Sequence, residues 1–183
     1  MPGGRFRFEP WAGALWDAYR NDGGSGRPAW IGAARFGYEL GDGFGPGLRL
    51  IGEVARAEAA EAGTAIVSDS LAVEFASKWW LTTAGLEWDV ATGWSGLTLE
   101  AQAGAAWIML EVTGGDSIPS GTPGTTASAE SEPYAAGRVG VSAWRHVTHA
   151  MQVRIRVEDV ITDAFDRVEH SPAVGVGIRF VFE

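Results

Sequence analysis

There is no cysteine anywhere in the 183 residues, which excludes disulfides, thiolate metal sites and thiol redox chemistry. Long apolar runs are missing too. Charge or glycine interrupts every hydrophobic stretch, so no segment offers the roughly 20 apolar residues that a transmembrane helix needs. A chain like this crosses a membrane only as a closed barrel, the other structure that satisfies all backbone polar groups in lipid. Basic charge is scarce: 14 Lys and Arg against 23 Asp and Glu leave a formal net charge of -9, the wrong sign for a nucleic-acid footprint. The start carries no apolar signal-peptide core. Met1-Pro2-Gly3-Gly4 leads straight into the alternating Arg5-Phe6-Arg7-Phe8, and Met1 reads as a start codon set before a mature chain.

What is present is alternation. With 46% hydrophobic residues, the chain has enough apolar surface for one domain, and its apolar positions recur with period two, as on strands with one apolar face. Eight strands are predicted, at about Phe6–Tyr19, Ala29–Leu40, Gly47–Ala55, Trp79–Val90, Ser95–Val112, Pro133–Trp144, Ala150–Ile161 and Ala173–Glu183. The segments between them read as long loops at about 20–28, 56–78, 113–132 and 162–172, and as short turns at about 41–46, 91–94 and 145–149. Arg56 to Lys78 admits an extended arm or a short helical turn, because Leu71, Val73 and Phe75 alternate in the opposite phase to the next strand.

Long and short connections therefore alternate, the asymmetry of an antiparallel up-and-down transmembrane β-barrel with both termini at the short-turn rim. Aromatics gather at both strand ends. Phe6, Phe8, Tyr38, Phe44, Trp88, Trp94, Trp144, Phe180 and Phe182 lie near the turns, and Trp16, Tyr19, Trp30, Trp79, Trp80, Trp107 and Tyr134 near the loops. Two interfacial girdles account for the nine tryptophans more readily than one core does. An arginine facing mid-bilayer costs about 2–4 kcal/mol, so the charged face must point inward. It sets Arg35, Arg49, Arg138, Arg154, Arg156 and Arg179 against Glu39, Glu53, Glu87, Asp89, Glu100 and Glu158. Buried charges are tolerated when paired and hydrogen-bonded. The expected lumen is thus a charge-paired plug, with Gly85, Gly104, Gly140, Gly175 and Gly177 making room for long side chains.

Glu9-Pro10-Trp11-Ala12-Gly13, Gly32-Ala33-Ala34-Arg35-Phe36-Gly37-Tyr38 and the closing strand resemble the small eight-stranded outer-membrane barrels of the OmpA/OmpX type over essentially the whole chain. The resemblance implies a bacterial outer-membrane protein with no cofactor, set in lipid and lipopolysaccharide. It also implies that Ile178, Phe180 and Phe182 are the signal read by the barrel-insertion machinery. Glu183, after that last aromatic, departs from the pattern. A monomer that does not bind nucleic acid, serving envelope integrity or presenting loops to an extracellular ligand, is the expected function. The competing readings are a barrel transporting small solutes or hydrophobes, a soluble lipocalin-like lipid carrier with its apolar face inside, and a lipid A hydrolase.

Candidates for chemistry are few. His170 and Ser171 are adjacent, which on a strand sends them to opposite faces, away from the hydrogen-bond reach that a base and nucleophile need. His146 and His149 have metal-like spacing but no nearby ligand set, and read as rim residues. Asp159, Asp163, Asp166 and Glu169 form an acidic group without EF-hand spacing and read as a solvated loop. The glycine-rich Gly41-Asp42-Gly43-Phe44-Gly45 leads into a strand rather than a helix, so it is a turn and not a phosphate cradle.

Overall fold

The computed structural model describes residues 5–16, 28–40, 47–58, 63–68, 71–90, 93–114, 126–130, 132–164 and 167–182. Their elements are all strands: β1 (Phe6–Leu15), β2 (Ala29–Glu39), β3 (Leu48–Glu58), β4 (Gly63–Ser68), β5 (Leu71–Asp89), β6 (Ser95–Gly114), β7 (Thr126–Glu130), β8 (Tyr134–Thr148), β9 (Met151–Ala164) and β10 (Arg167–Phe182). Eight of them close a ring in the order β1-β2-β3-β5-β6-β8-β9-β10, with every neighbouring pair antiparallel. The closing seam pairs β1 with β10 from Phe6↔Phe182 to Leu15↔Ala173. Phe6 and Phe8 thereby meet Phe182 and Phe180, and the Phe6 and Phe182 rings lie 6.2 Å apart.

Both strand prolines sit where the ladder can spare an N–H. The β1–β10 pairing skips Glu9 and Pro10 and resumes in the same register at Trp11↔Gly177. Pro172 lies beside the end of β1, where its carbonyl accepts a bond from Trp16 N (2.9 Å), so its bonding edge faces a strand that has already stopped. The β9–β10 ladder runs past it unbroken, at Pro172↔Asp159.

Several connections are shorter than composition predicts. The expected 56–78 loop is largely strand: β3 continues to Glu58, β4 pairs with the first part of β5, and β5 runs without a break from Leu71 to Asp89. The phase switch of its apolar residues had marked a break. The backbone ladder to β6 ignores side-chain phase and holds one register from Val73↔Gly114 to Asp89↔Thr98. In the expected 113–132 loop, β7 pairs with Met109–Thr113 of β6 despite its small polar residues. The 145–149 turn is really the end of β8, which absorbs an irregularity between His146 and Thr148 and turns at His149–Ala150. The 162–172 loop also dissolves into strand, with β9 reaching Ala164 and β10 starting at Arg167. The 41–46 turn, and nearly all of the 20–28 loop, lie outside the described residues, as do residues 91–92 of the 91–94 turn.

Candidate functional site

Strand pleating sends alternate residues inward, and on these strands the inward set is polar at mid-height. Registers then fix who meets whom: Glu9↔Arg35, Arg35↔Glu53, Glu39↔Arg49 and Arg49↔Glu87 are direct cross-strand partners. Glu87↔Glu100 pairs like charges, which is destabilising in isolation. Arg35 resolves it by binding both, at 3.3 Å to Glu87 Oε2 and at 2.5 and 2.9 Å to the two oxygens of Glu100.

Two carboxylates act as hubs. Glu87 accepts from Arg35, from Arg49 Nε (2.7 Å), from Arg154 Nη1 (2.9 Å) and from Arg179 Nη2 (2.6 Å). Glu9 accepts from Arg154 Nη1 (2.7 Å), Arg156 Nη2 (2.6 Å) and Arg179 Nε (2.8 Å). Glu53 takes Arg35 Nε at 2.6 Å and also Arg138, whose other amine reaches Glu158. Asp89 grips Arg49 with both oxygens, at 2.6 and 2.5 Å. Glu39, at the rim, meets Arg7 Nη2 at 3.4 Å. Several of these bonds cross from β9 and β10 to β5, so the charged layer spans the lumen and does not merely line it.

Trp11 lies on this layer, with the guanidinium carbons of Arg156 and Arg138 4.9 and 5.4 Å from its ring centre. A Cβ on Gly175 would meet the Trp11 ring at 2.7 Å, and one on Gly177 would meet Trp11 Cβ at 2.9 Å, so these glycines make the indole's seat. Gly85 and Gly104 make room for something else, the backbone of the neighbouring strand: an added Cβ would lie 2.0 Å from Ala101 O and 1.9 Å from Thr82 O. Toward the loop end the lumen changes character. Leu15, Ile31, Ala55, Ala57, Trp79, Leu81 and Val160 pack into a buried apolar cluster around a cavity of about 10 Å³. The charge-paired plug is therefore one layer, and an apolar one is stacked on it.

The outer surface is the inverse. Leu50, Val54, Leu86, Leu99, Val141, Ile155, Val157, Val176 and Ile178 are exposed while Arg35, Arg49, Arg138, Arg154, Arg156 and Arg179 are buried. A belt of this kind is far larger than soluble monomers expose. A soluble carrier with its apolar face inside is the wrong way round.

Structural comparison finds this architecture in proteins of very different sequence. Ail, the attachment invasion locus protein of Yersinia pestis, aligns over all of both chains with a TM-score of 0.62 at 12% identity. Neisserial surface protein A aligns over 98% of this chain and 97% of its own, with a TM-score of 0.56 at 14% identity. The N-terminal barrel domain of Pseudomonas aeruginosa OprF aligns over 97% of each chain, with a TM-score of 0.54 at 12% identity. The chain has the fold of the small eight-stranded outer-membrane β-barrels. No family model and no curated protein matches its sequence.

In this outer-membrane barrel fold, Arg35, Arg49, Glu53, Glu87, Asp89, Glu100, Arg138, Arg154, Arg156, Glu158 and Arg179 form one connected set of ion pairs once Glu9 is added, while Glu39 pairs with Arg7 at the rim; Glu9, Arg7 and Trp11 complete the site. Those three were missed as site residues. Their signal was available: they share the inward phase of Leu15, and Glu9 stands opposite Arg35 in the first hairpin. Ile178 and Phe182 are exposed on the outer face of β10, with Phe180 half-buried between them. Two aromatics assigned to the girdles, Trp79 and Trp144, are instead buried in the lumen, because each falls on the inward phase of its strand.

Of the catalytic candidates, Ser171 is buried inside and His170 is outside, its Nδ1 2.6 Å from Asp159 Oδ2. His146 packs edge-on against Trp94 and Trp144 and contacts Gln152, while His149 lies beside Trp94. Among the described residues no group of three His, Asp or Glu is placed to hold a metal ion. Asp166 lies outside the described residues.

Proposed function

We propose that the chain is a non-enzymatic, monomeric protein of the bacterial outer membrane with a sealed lumen, and that it acts through envelope integrity or loop-mediated binding of an extracellular ligand. The observation that carries this reading is the lumen-spanning charge layer centred on Glu87 and Glu9. With the lumen filled, function falls to what the barrel shows outside: lipid and lipopolysaccharide at the belt, and the loop end above it. Ail, which has the same fold, has been crystallised with the heparin analogue sucrose octasulfate, which supports a ligand-binding role. Ile178, Phe180 and Phe182 would be the residues that the insertion machinery reads.

The test has two parts. Purified protein should require detergent, migrate heat-modifiably on gels, and give no stepwise conductance in planar bilayers. Cells expressing it should gain adherence or resistance to envelope stress, and should lose the gain when residues 115–125 are replaced by a short linker. Steady conductance steps would instead establish the transport reading, and an altered lipid A mass spectrum the hydrolase reading.

A further inference from the structure

At the turn end of the charge layer is a second cavity of about 10 Å³, the size of one water molecule or one monatomic anion. Its charged walls are Arg7, Arg35, Arg49 and Arg179 against Glu9 and Glu87. The two carboxylates are already heavily used. Glu87 accepts from four guanidinium groups, about as many as a carboxylate's lone pairs serve, and Glu9 from three. Arg7 is only 9% exposed, yet the carboxylate it meets is that of Glu39 at the rim, at a long 3.4 Å. Among the described residues, Arg7 Nε and Nη1 and Arg179 Nη1 have no hydrogen-bond partner. Arg7 and Arg179 are diagonal neighbours on the paired strands β1 and β10, since Arg7 stands opposite Val181. A buried guanidinium N–H without an acceptor is costly, and guanidiniums outnumber carboxylates around this space.

We infer that the lumen binds one monatomic anion, chloride under ordinary conditions, between Arg7 and Arg179. A negative, acceptor-only ligand satisfies donors on both side chains and offsets the local excess of positive charge, which neutral water does not do. The site then completes the charge layer at its weakest member, Arg7.

Bromide, a chloride substitute with an anomalous X-ray signal, is the probe. Crystals grown in sodium bromide should show one buried anomalous peak between the Arg7 and Arg179 guanidiniums. In detergent at constant ionic strength, the unfolding midpoint should rise saturably when gluconate is exchanged for chloride, and Arg7→Gln should abolish that rise. If Arg7→Gln does not assemble, Arg7→Lys, which keeps the charge but loses the planar fork, should at least halve the rise. Bromide peaks confined to the exposed surface, a midpoint indifferent to the anion, or an undiminished rise in the variant would each overturn the site.

Discussion

Changing Glu87 to Gln alters few atoms and one charge, at the residue where four guanidinium groups meet. Glu87 is fully buried and accepts at 2.6, 2.7, 2.9 and 3.3 Å from Arg179, Arg49, Arg154 and Arg35. An amide keeps the shape but offers one acceptor oxygen and turns an NH₂ group toward guanidinium donors. It also leaves the buried layer one positive charge in excess. Removing one partner from a buried ion pair costs about 3–5 kcal/mol. The matched control is Glu58→Gln: Glu58 pairs with Arg56 at 3.1 Å with both side chains about half exposed, so its loss should cost about 0–1 kcal/mol. Guanidinium-induced unfolding in detergent, followed by the emission of the nine tryptophans, measures both. The double variant Glu87→Gln/Arg179→Gln restores charge balance and should be less destabilised than the two single variants summed, by about 1 kcal/mol or more. Should Glu87→Gln be no worse than Glu58→Gln, the charge layer does not hold the barrel together and the reasoning fails.

Gly175→Val should destabilise by about 1–3 kcal/mol through overpacking, because even a Cβ would meet the Trp11 ring at 2.7 Å; an unchanged midpoint would mean that the indole has another place to go. Val139 is exposed on the outer face, and Val139→Arg should cost about 2–4 kcal/mol for a mid-bilayer position; full tolerance in lipid vesicles would contradict membrane immersion of that face. Phe182→Ala should reduce the heat-modifiable barrel recovered from cell envelopes while leaving the stability of protein refolded in detergent nearly unchanged. Equal losses in both assays would make Phe182 a packing residue and not an insertion signal.

The membrane-crossing part of the fold was legible because two physical constraints agree there. Period-two alternation assigns the faces, and the cost of arginine in lipid decides which face is inside. Arg154 and Arg156 on β9 and Arg179 on β10 follow from these alone. Glu9 is less legible because it is the lone carboxylate of a strand whose other residues are mostly apolar. The apolar cluster of Leu15, Ile31, Leu81 and Val160 escaped for a different reason: treating a face as uniform along its strand hides a lumen built in layers. The strand ends were misread where composition overrode pairing. Asp163 and Pro172 look like loop residues, yet the β9–β10 ladder holds both, since a ladder needs backbone groups and tolerates most side chains at a solvated edge.

The unequal strand lengths bear on how the loop end of this barrel would meet a partner. A strand of about 9–11 residues spans a bilayer, which β1, with 10 residues, satisfies; β5 and β6 have 19 and 20. At about 3.3 Å per residue the surplus amounts to roughly 30 Å of strand, rising from one side of the barrel wall and widened by β4 and β7. A hydrogen-bonded blade of this kind is a lever arm and not a tether. Because its backbone is hydrogen-bonded in one register as far as Val73↔Gly114, a partner seated on it would meet an edge whose ordering entropy was already spent in folding. A lateral pull on that partner is delivered as torque to the barrel wall, chiefly at β5 and β6.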